Sequence, residues 1–145
     1  MSIPLPPLSL CNYFFREISI KPREDYEGNN GDMFDFSGVL VTCNVSGGKN
    51  ETVSGKNAEE HFVILEIEVA DGEERQAPYS ITCTAIGIFK PHPDLDKEKV
   101  EEVMAIQGAT TLYASAREML MTSTSRMGYG PFILPTMSFH GLKKD

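Results

Sequence analysis

An α+β fold, with a four-stranded antiparallel sheet followed by C-terminal helices, is the architecture this chain predicts, and three observations carry it. Four runs of period-two apolar alternation lie upstream of Pro91. Apolar spacing of three and four residues begins only after Asp96. The links between the alternating runs are short or rich in Gly, Asn, Asp and Ser, which suits antiparallel neighbours.

The first run spans Asn12 to Lys21, where Phe14, Ile18 and Ile20 alternate with Phe15, Glu17, Ser19 and Lys21, and Arg16 is the exception on the apolar side. Pro22 to Asp32 is charged and full of turn formers, so it reads as a long exposed connection. A second strand is expected from Phe34 to Val45, bent at Gly38. Ser46 to Asn57 carries almost no apolar residue and is expected to be a flexible hairpin connection. In the third run, His61 to Val69, Val63, Leu65, Ile67 and Val69 share one face. Asp71-Gly72 marks a turn, and Pro78 to Phe89 forms the fourth run with Ile81, Cys83, Ala85 and Phe89 in register. The simplest arrangement is a meander. Val39, Val41, Val45, Ile64, Ile86 and Ile88 would then leave the second face of the sheet apolar.

Pro91 and Pro93 end the sheet, and Asp94 or Asp96 can cap a short helix holding Val100, Val103, Met104 and Ile106. Gly108 is expected to divide it from a longer helix with Leu112, Ala116, Met119, Leu120 and Ser123 on one side. Gly128 and Gly130 stop that helix. Pro131 and Pro135 bracket Phe132, Ile133 and Leu134, which predicts an extended tail that presents apolar surface. One domain over 1–145 is expected, with 1–11 and 141–145 flexible.

Thirteen basic against twenty-one acidic residues give a net charge of −8, which disfavours phosphate-tracking nucleic-acid binding and adhesion to anionic lipid. Cys11, Cys43 and Cys83 are odd in number, widely spaced and without metal-ligand spacing, so reduced and mostly buried thiols are expected, with no metal and no cofactor. The N-terminal MSIPLPPLSL lacks a basic region and carries three prolines, unlike a signal peptide. A cytoplasmic protein without membrane insertion is the expectation.

His61, His92 and His140 suit proton transfer near neutral pH, yet none sits in a recognisable catalytic motif, and a small His-dependent enzyme ranks behind a binding protein. Arg117 and Glu118 stand in a stretch of helix that is otherwise neutral; an ion pair between subunits and a solvated helix edge are both open to them. Methionines and aromatic rings crowd two regions: Tyr26, Met33, Phe34 and Phe36 on the first connection, and Met119 to Phe139 in the last third. Such side chains suit a surface that accepts many apolar sequences.

GIF at 87–89, LYASARE at 112–118, SRMGYG at 125–130 and LPTMSF at 134–139 stand in the order and spacing of the SecB family of bacterial export chaperones, which the chain resembles. The likeness is traceable back to Tyr13 through YFFREISIKP. It implies an ATP-independent holdase that keeps unfolded precursors competent for export and passes them to SecA, built as a dimer or, more often, as a tetramer that is a dimer of dimers. By that resemblance Tyr26, Met33, Phe34, Phe36, Phe132, Leu134 and Phe139 would line the client groove. Phe14, Ile18, Leu112, Ala116, Arg117 and Leu120 would serve assembly. Glu17 is the acidic residue left to meet SecA, since Lys21, Ser80 and Thr82 occupy the other matching positions. The family continues into a further helix and an acidic tail where this chain stops at Asp145, so the groove is expected to lack its lid. A chaperone dedicated to one client, such as an antitoxin, is the alternative within the same fold.

Overall fold

The computed structural model describes residues 7–27, 38–49, 59–73 and 75–142. Four strands, β1 (Leu8–Pro22), β2 (Leu40–Lys49), β3 (His61–Ala70) and β4 (Tyr79–Pro91), form one antiparallel sheet in the order β1-β4-β3-β2. The expected meander therefore holds for β2, β3 and β4 alone. β1 lies beside β4 at the far edge, because β4 offers it a thirteen-residue partner whose inner face is already apolar.

Helix α1 (Val100–Val103) runs through a π-helical turn, Met104–Gly108, into α2 (Ala109–Thr124). Gly108 does not divide two helices. A Cβ there would sit 2.7 Å from Val63 Cγ2, so the glycine lets the helix approach β3 closely while the helix continues. Neither candidate caps the helix: Lys99 stands at its N-cap without a side-chain cap, and Asp96 Oδ1 instead accepts the Glu98 N–H at 3.2 Å in the turn before it. The helix ends at Thr124, and Gly130, with φ +78°, makes the turn into a tail without regular structure. His140–Leu142 form a closing 3-10 turn.

Paired residues share a face of the sheet. Val63, Leu65, Ile67 and Val69 of β3 and Tyr79, Ile81, Cys83, Ala85 and Phe89 of β4 are buried against the helix. Val41 pairs with Val69 and Val45 with Leu65, so both lie on this inner face and not on the second face assigned to them from sequence. Val39 also packs against the core. Ile64, Ile86 and Ile88 do face outward, joined by Phe62.

β2 extends to Lys49, four residues into the expected hairpin connection. β1 begins at Leu8, which is buried, so residues 8–11 belong to the sheet and not to a flexible end. Its register slips between Leu10 and Asn12 and between Phe15 and Glu17, leaving Cys11 and Arg16 as extra residues in two bulges. The second bulge explains why Arg16 interrupted the alternation. It also moves Phe15 to the same face as Ile18 and Ile20, opposite Ala85, Cys83 and Ile81, and leaves Phe14 on the other face opposite Ile86.

Candidate functional site

The tail after α2 is built into the core. Phe132, Leu134 and Phe139 are 1%, 0% and 6% exposed. Thr124 starts this arrangement: its Oγ1 donates to the Leu120 carbonyl at 2.7 Å and accepts the Phe132 N–H at 2.8 Å, so the last helical turn fixes the first tail residue. Farther along, Tyr113 donates from its hydroxyl to the Pro135 carbonyl, and its ring meets Phe139 edge-on at 5.6 Å. Burial, with Cys43 nearby, pushes the Tyr113 hydroxyl up to about 12. The tail thus supplies core, and the surface it offers outward is Ile133 and its neighbours.

A chain of aromatic rings links the tail to the end of β1. Tyr26 meets Tyr129 at 4.9 Å, Tyr129 meets Tyr79 at 5.8 Å, and Tyr79 meets Phe132 at 5.9 Å, all edge-to-face. The Tyr79 hydroxyl donates to the Gly130 carbonyl at 2.7 Å and accepts the Tyr129 N–H at 3.1 Å. The Tyr129 hydroxyl donates to the Arg23 carbonyl. The Arg23 guanidinium reaches Asp71 and, at 3.1 Å, Asp25, which raises its already high pKa, with the Asp25 hydrogen bond the largest cause. Asp71 in turn accepts the Ala77 N–H at 2.9 Å. Tyr26 and Phe132, both assigned to a client groove, are therefore brought into one cluster. Tyr79 and Tyr129, which join them, were not among the assigned site residues. A tyrosine opening a strand beside Pro78, and another between Gly128 and Gly130, are the signals that could have found them.

The exposed apolar surface lies elsewhere. The helix packs on β3 and β4, so β1 projects beyond it. On the inner face of β1, Leu10, Tyr13 and Ile18 remain 44%, 44% and 41% exposed, next to partly buried Phe15 and Ile20. On the outer face, Phe14, 46% exposed, continues the row of Ile86 and Ile64. The following rows turn acidic, with Glu17 across from Thr84 and Glu66 beyond it. Arg16 approaches Glu66 at 3.8 Å, an exposed pair of little energetic weight.

Of the residues assigned to assembly, Phe14 and Ile18 are exposed on opposite faces of β1. Leu112, Ala116 and Leu120 face their own sheet and are wholly buried, so this packing leaves none of their surface for a second subunit. Arg117 is half-buried on the helix flank and Glu118 is exposed. Met119 and Ser123, expected on the core stripe, are exposed; Ala109, Tyr113 and Thr124 complete it instead. Met33, Phe34 and Phe36 lie outside the described residues.

His61 opens β3, and burial together with Lys49 lowers its pKa. His92 accepts the Asp94 N–H at Nδ1, 3.1 Å away, on an exposed loop, and His140 is exposed in the closing turn. Among the described residues no group of three His, Cys, Asp or Glu is placed to hold a metal ion. The thiols differ from expectation: Cys83 is buried, Cys43 half-buried and Cys11 exposed. Burial, with Glu17 adding to it, pushes the Cys83 thiol up to about 11. No helix among the described residues is long and apolar enough to cross a membrane.

The fold and its exposed chemistry define a sheet-and-helix binding domain that offers apolar side chains on an edge strand. Residues 43–144 match the family described as SecB, preprotein translocase subunit SecB, and the chain belongs to that family. A Mycobacterium tuberculosis SecB-like chaperone, solved in complex with a ChAD peptide from the HigA1 antitoxin, shares the fold with a TM-score of 0.64. It is 12% identical over 91% of this chain and 88% of its own. A protein of unknown function from Streptococcus agalactiae has a TM-score of 0.51 at 10% identity, covering 90% of this chain and 97% of its own. No curated protein matches in sequence.

Proposed function

We propose that this chain is an ATP-independent holdase that binds unfolded segments of other proteins through apolar surface. Membership of the SecB family carries this reading, and the inner face of β1 supports it: large apolar side chains stay wet there on an otherwise well-packed domain, open to a client or to a second copy of the chain. Removing such surface from water supplies affinity without demanding one client sequence. The net charge of −8 keeps the protein soluble and favours basic clients. A cytoplasmic location and service to protein export fit this role, with Tyr26 and the tail aromatics beside the client path.

A homo-oligomer, dimer or tetramer, accompanies the reading. Phe14 and Ile18 would lie in its interface and Arg117 at the helix flank, since part of the β1 surface needs a partner in the absence of client. A chaperone dedicated to one client is the second reading. It is favoured by the antitoxin peptide bound to the M. tuberculosis neighbour and by an outer face that carries Phe14, Ile86 and Ile64 beside Glu17, where transfer to SecA would call for more acid.

Aggregation of a chemically denatured client, followed by light scattering with and without equimolar protein, tests the holdase itself. Suppression is expected; unaltered aggregation together with no capture of unfolded chain would overturn it. Affinity capture from the native host then separates the two readings: many precursors with SecA, or one dominant client.

A further inference from the structure

At the end of the sheet where β2 stops at Lys49, β3 begins at His61 and β4 runs out at Pro91, a cavity of about 400 Å³ is bordered by the loop that leads to the helix. Lys49 pairs with His61 across the two strands, and both line the cavity together with His92, Lys97 and Glu59. Among the described residues, two lysines and two imidazoles thus gather around one carboxylate, the reverse of the balance in a chain of net charge −8.

The loop keeps its acids out of this lining. The Asp94 side chain is 92% exposed, Asp96 is engaged by the Glu98 N–H, and of the charged residues at 94–99 Lys97 alone lines the cavity. Pro91, Pro93 and Leu95 supply an apolar wall, stiffened by two proline rings. Between the prolines, His92 is held at three points. Its N–H donates to the Pro7 carbonyl at 2.7 Å, its carbonyl accepts the Leu95 N–H at 2.9 Å, and its Nδ1 accepts the Asp94 N–H at 3.1 Å. A neutral ring that accepts at Nδ1 carries its proton on Nε2, so the remaining nitrogen of His92 is a donor.

We propose that this cavity is a binding site for the phosphate group of a small molecule. Two ammonium groups and an imidazole N–H offer donors from several elements, which suits the three oxygens of a phosphate better than the two of a carboxylate. The volume is within the range of small-ligand sites and leaves room against Pro91, Pro93 and Leu95 for a compact apolar body. Glu59 can accept a hydrogen bond from a hydroxyl of that body. The charge of the whole chain opposes nucleic acids and other ligands with many phosphates. His61 reports on occupancy. Burial and Lys49 lower its pKa while Glu59 acts the other way, and Glu101 and Glu102 border the neighbouring cavity that His61 also lines. An anion beside His61 offsets Lys49 and raises that pKa.

Titration of the full-length protein with phenyl phosphate and with inorganic phosphate, with sodium chloride at matched ionic strength as the control, tests the site by calorimetry and by NMR of the imidazole resonances. Binding should saturate and raise the His61 pKa, while His140, which does not line the cavity, stays unchanged. Lys49→Gln and Lys97→Gln, both at exposed positions, should each weaken binding about tenfold and leave the circular dichroism spectrum as it was. Tighter binding of phenyl phosphate assigns the site to monoesters, and equal affinity assigns it to free phosphate; both support it. Heats and shifts that chloride reproduces, or an affinity that neither lysine substitution changes, would overturn it. Client holding is decided separately, by the aggregation assay.

Discussion

Among the described residues, the two edge strands of this sheet leave opposite kinds of surface open. β1 exposes side chains: Leu10, Tyr13, Phe14 and Ile18 are large, apolar and wet, on a backbone twice interrupted by bulges. β2 exposes backbone: it is regular, with half-buried Val41, Cys43 and Val45 inside and Thr42, Asn44 and Ser46 outside. Side chains suit a partner of fixed shape, a second copy of the chain above all, whereas a bare ladder accepts any extended segment. If β1 pairs with a second copy of the chain, as proposed, clients are left the apolar surface that assembly does not cover.

The most severe way to break the comparison is to detach β2. Gly72 follows β3 in the turn where Gly38, with φ +85°, leads into β2, and a Cβ on Gly72 would lie 1.4 Å from the Gly38 carbonyl oxygen. The backbone must separate to admit any side chain. Gly72→Val is expected to cost roughly 3–5 kcal/mol, in the range reserved for steric conflict with backbone. Urea denaturation measures the loss, and exchange should accelerate in β2 before it does in β1.

Nearly as large is the effect expected at Phe132. Phe132→Ala should cost about 3–5 kcal/mol if the tail is core, the usual cost of emptying a buried aromatic site. A small loss of stability with a large loss of client affinity would instead return Phe132 to the client surface. Thr124→Val is a milder form of the same test. It leaves the buried Phe132 N–H without its acceptor and should cost about 1–3 kcal/mol.

β1 should respond in assembly and not in stability. Ile18→Glu places a charge on an exposed position of its inner face, so the fold should persist within about 0.5 kcal/mol, as for surface changes generally. Sedimentation or light scattering should show a smaller particle than the unaltered protein. Monomeric unaltered protein at micromolar concentration would refute the assignment of β1 to assembly.

How legible this was in the sequence depended on the strand. β3 and β4 repeat one apolar face without a slip and are buried by the helix, so period two located their core residues correctly. β1 was misread where the bulge at Arg16 shifted the faces; a bulge leaves no mark in composition beyond the broken alternation. Its place next to β4 was hidden because the connection to β2 carries no pairing signal of its own. Gly108 looked like a helix breaker and is a contact glycine, a distinction that depends on Val63 from another element. The tail misled for a physical reason as well. Glycines and prolines deny it regular structure, which suggested exposure, but Thr124, Tyr113 and Tyr79 satisfy its backbone with side-chain hydrogen bonds and allow it to be buried.

Three thiols report on this division without any substitution. Cys11 sits on β1 and is exposed, Cys43 faces inward on β2 and is half-buried, and Cys83 is buried in β4. A thiol-specific chromophore should modify Cys11 first, Cys43 more slowly and Cys83 only on unfolding, because burial raises the pKa of the last two and blocks approach. The sign for stability follows from the same shift. The unfolded Cys83 thiol ionises near the ordinary thiol value of 9.0 while the folded one holds its proton to about 11, so the folded state binds the extra proton in that window. Stability should fall as pH rises from 9 to 11, and Cys83→Ala should reduce that fall. Dilution into a monomer should speed modification of Cys11 if β1 is the assembly edge, whereas saturation with an extended peptide should slow Cys43 alone if β2 is the client edge. The reverse pattern would exchange the roles of the two strands.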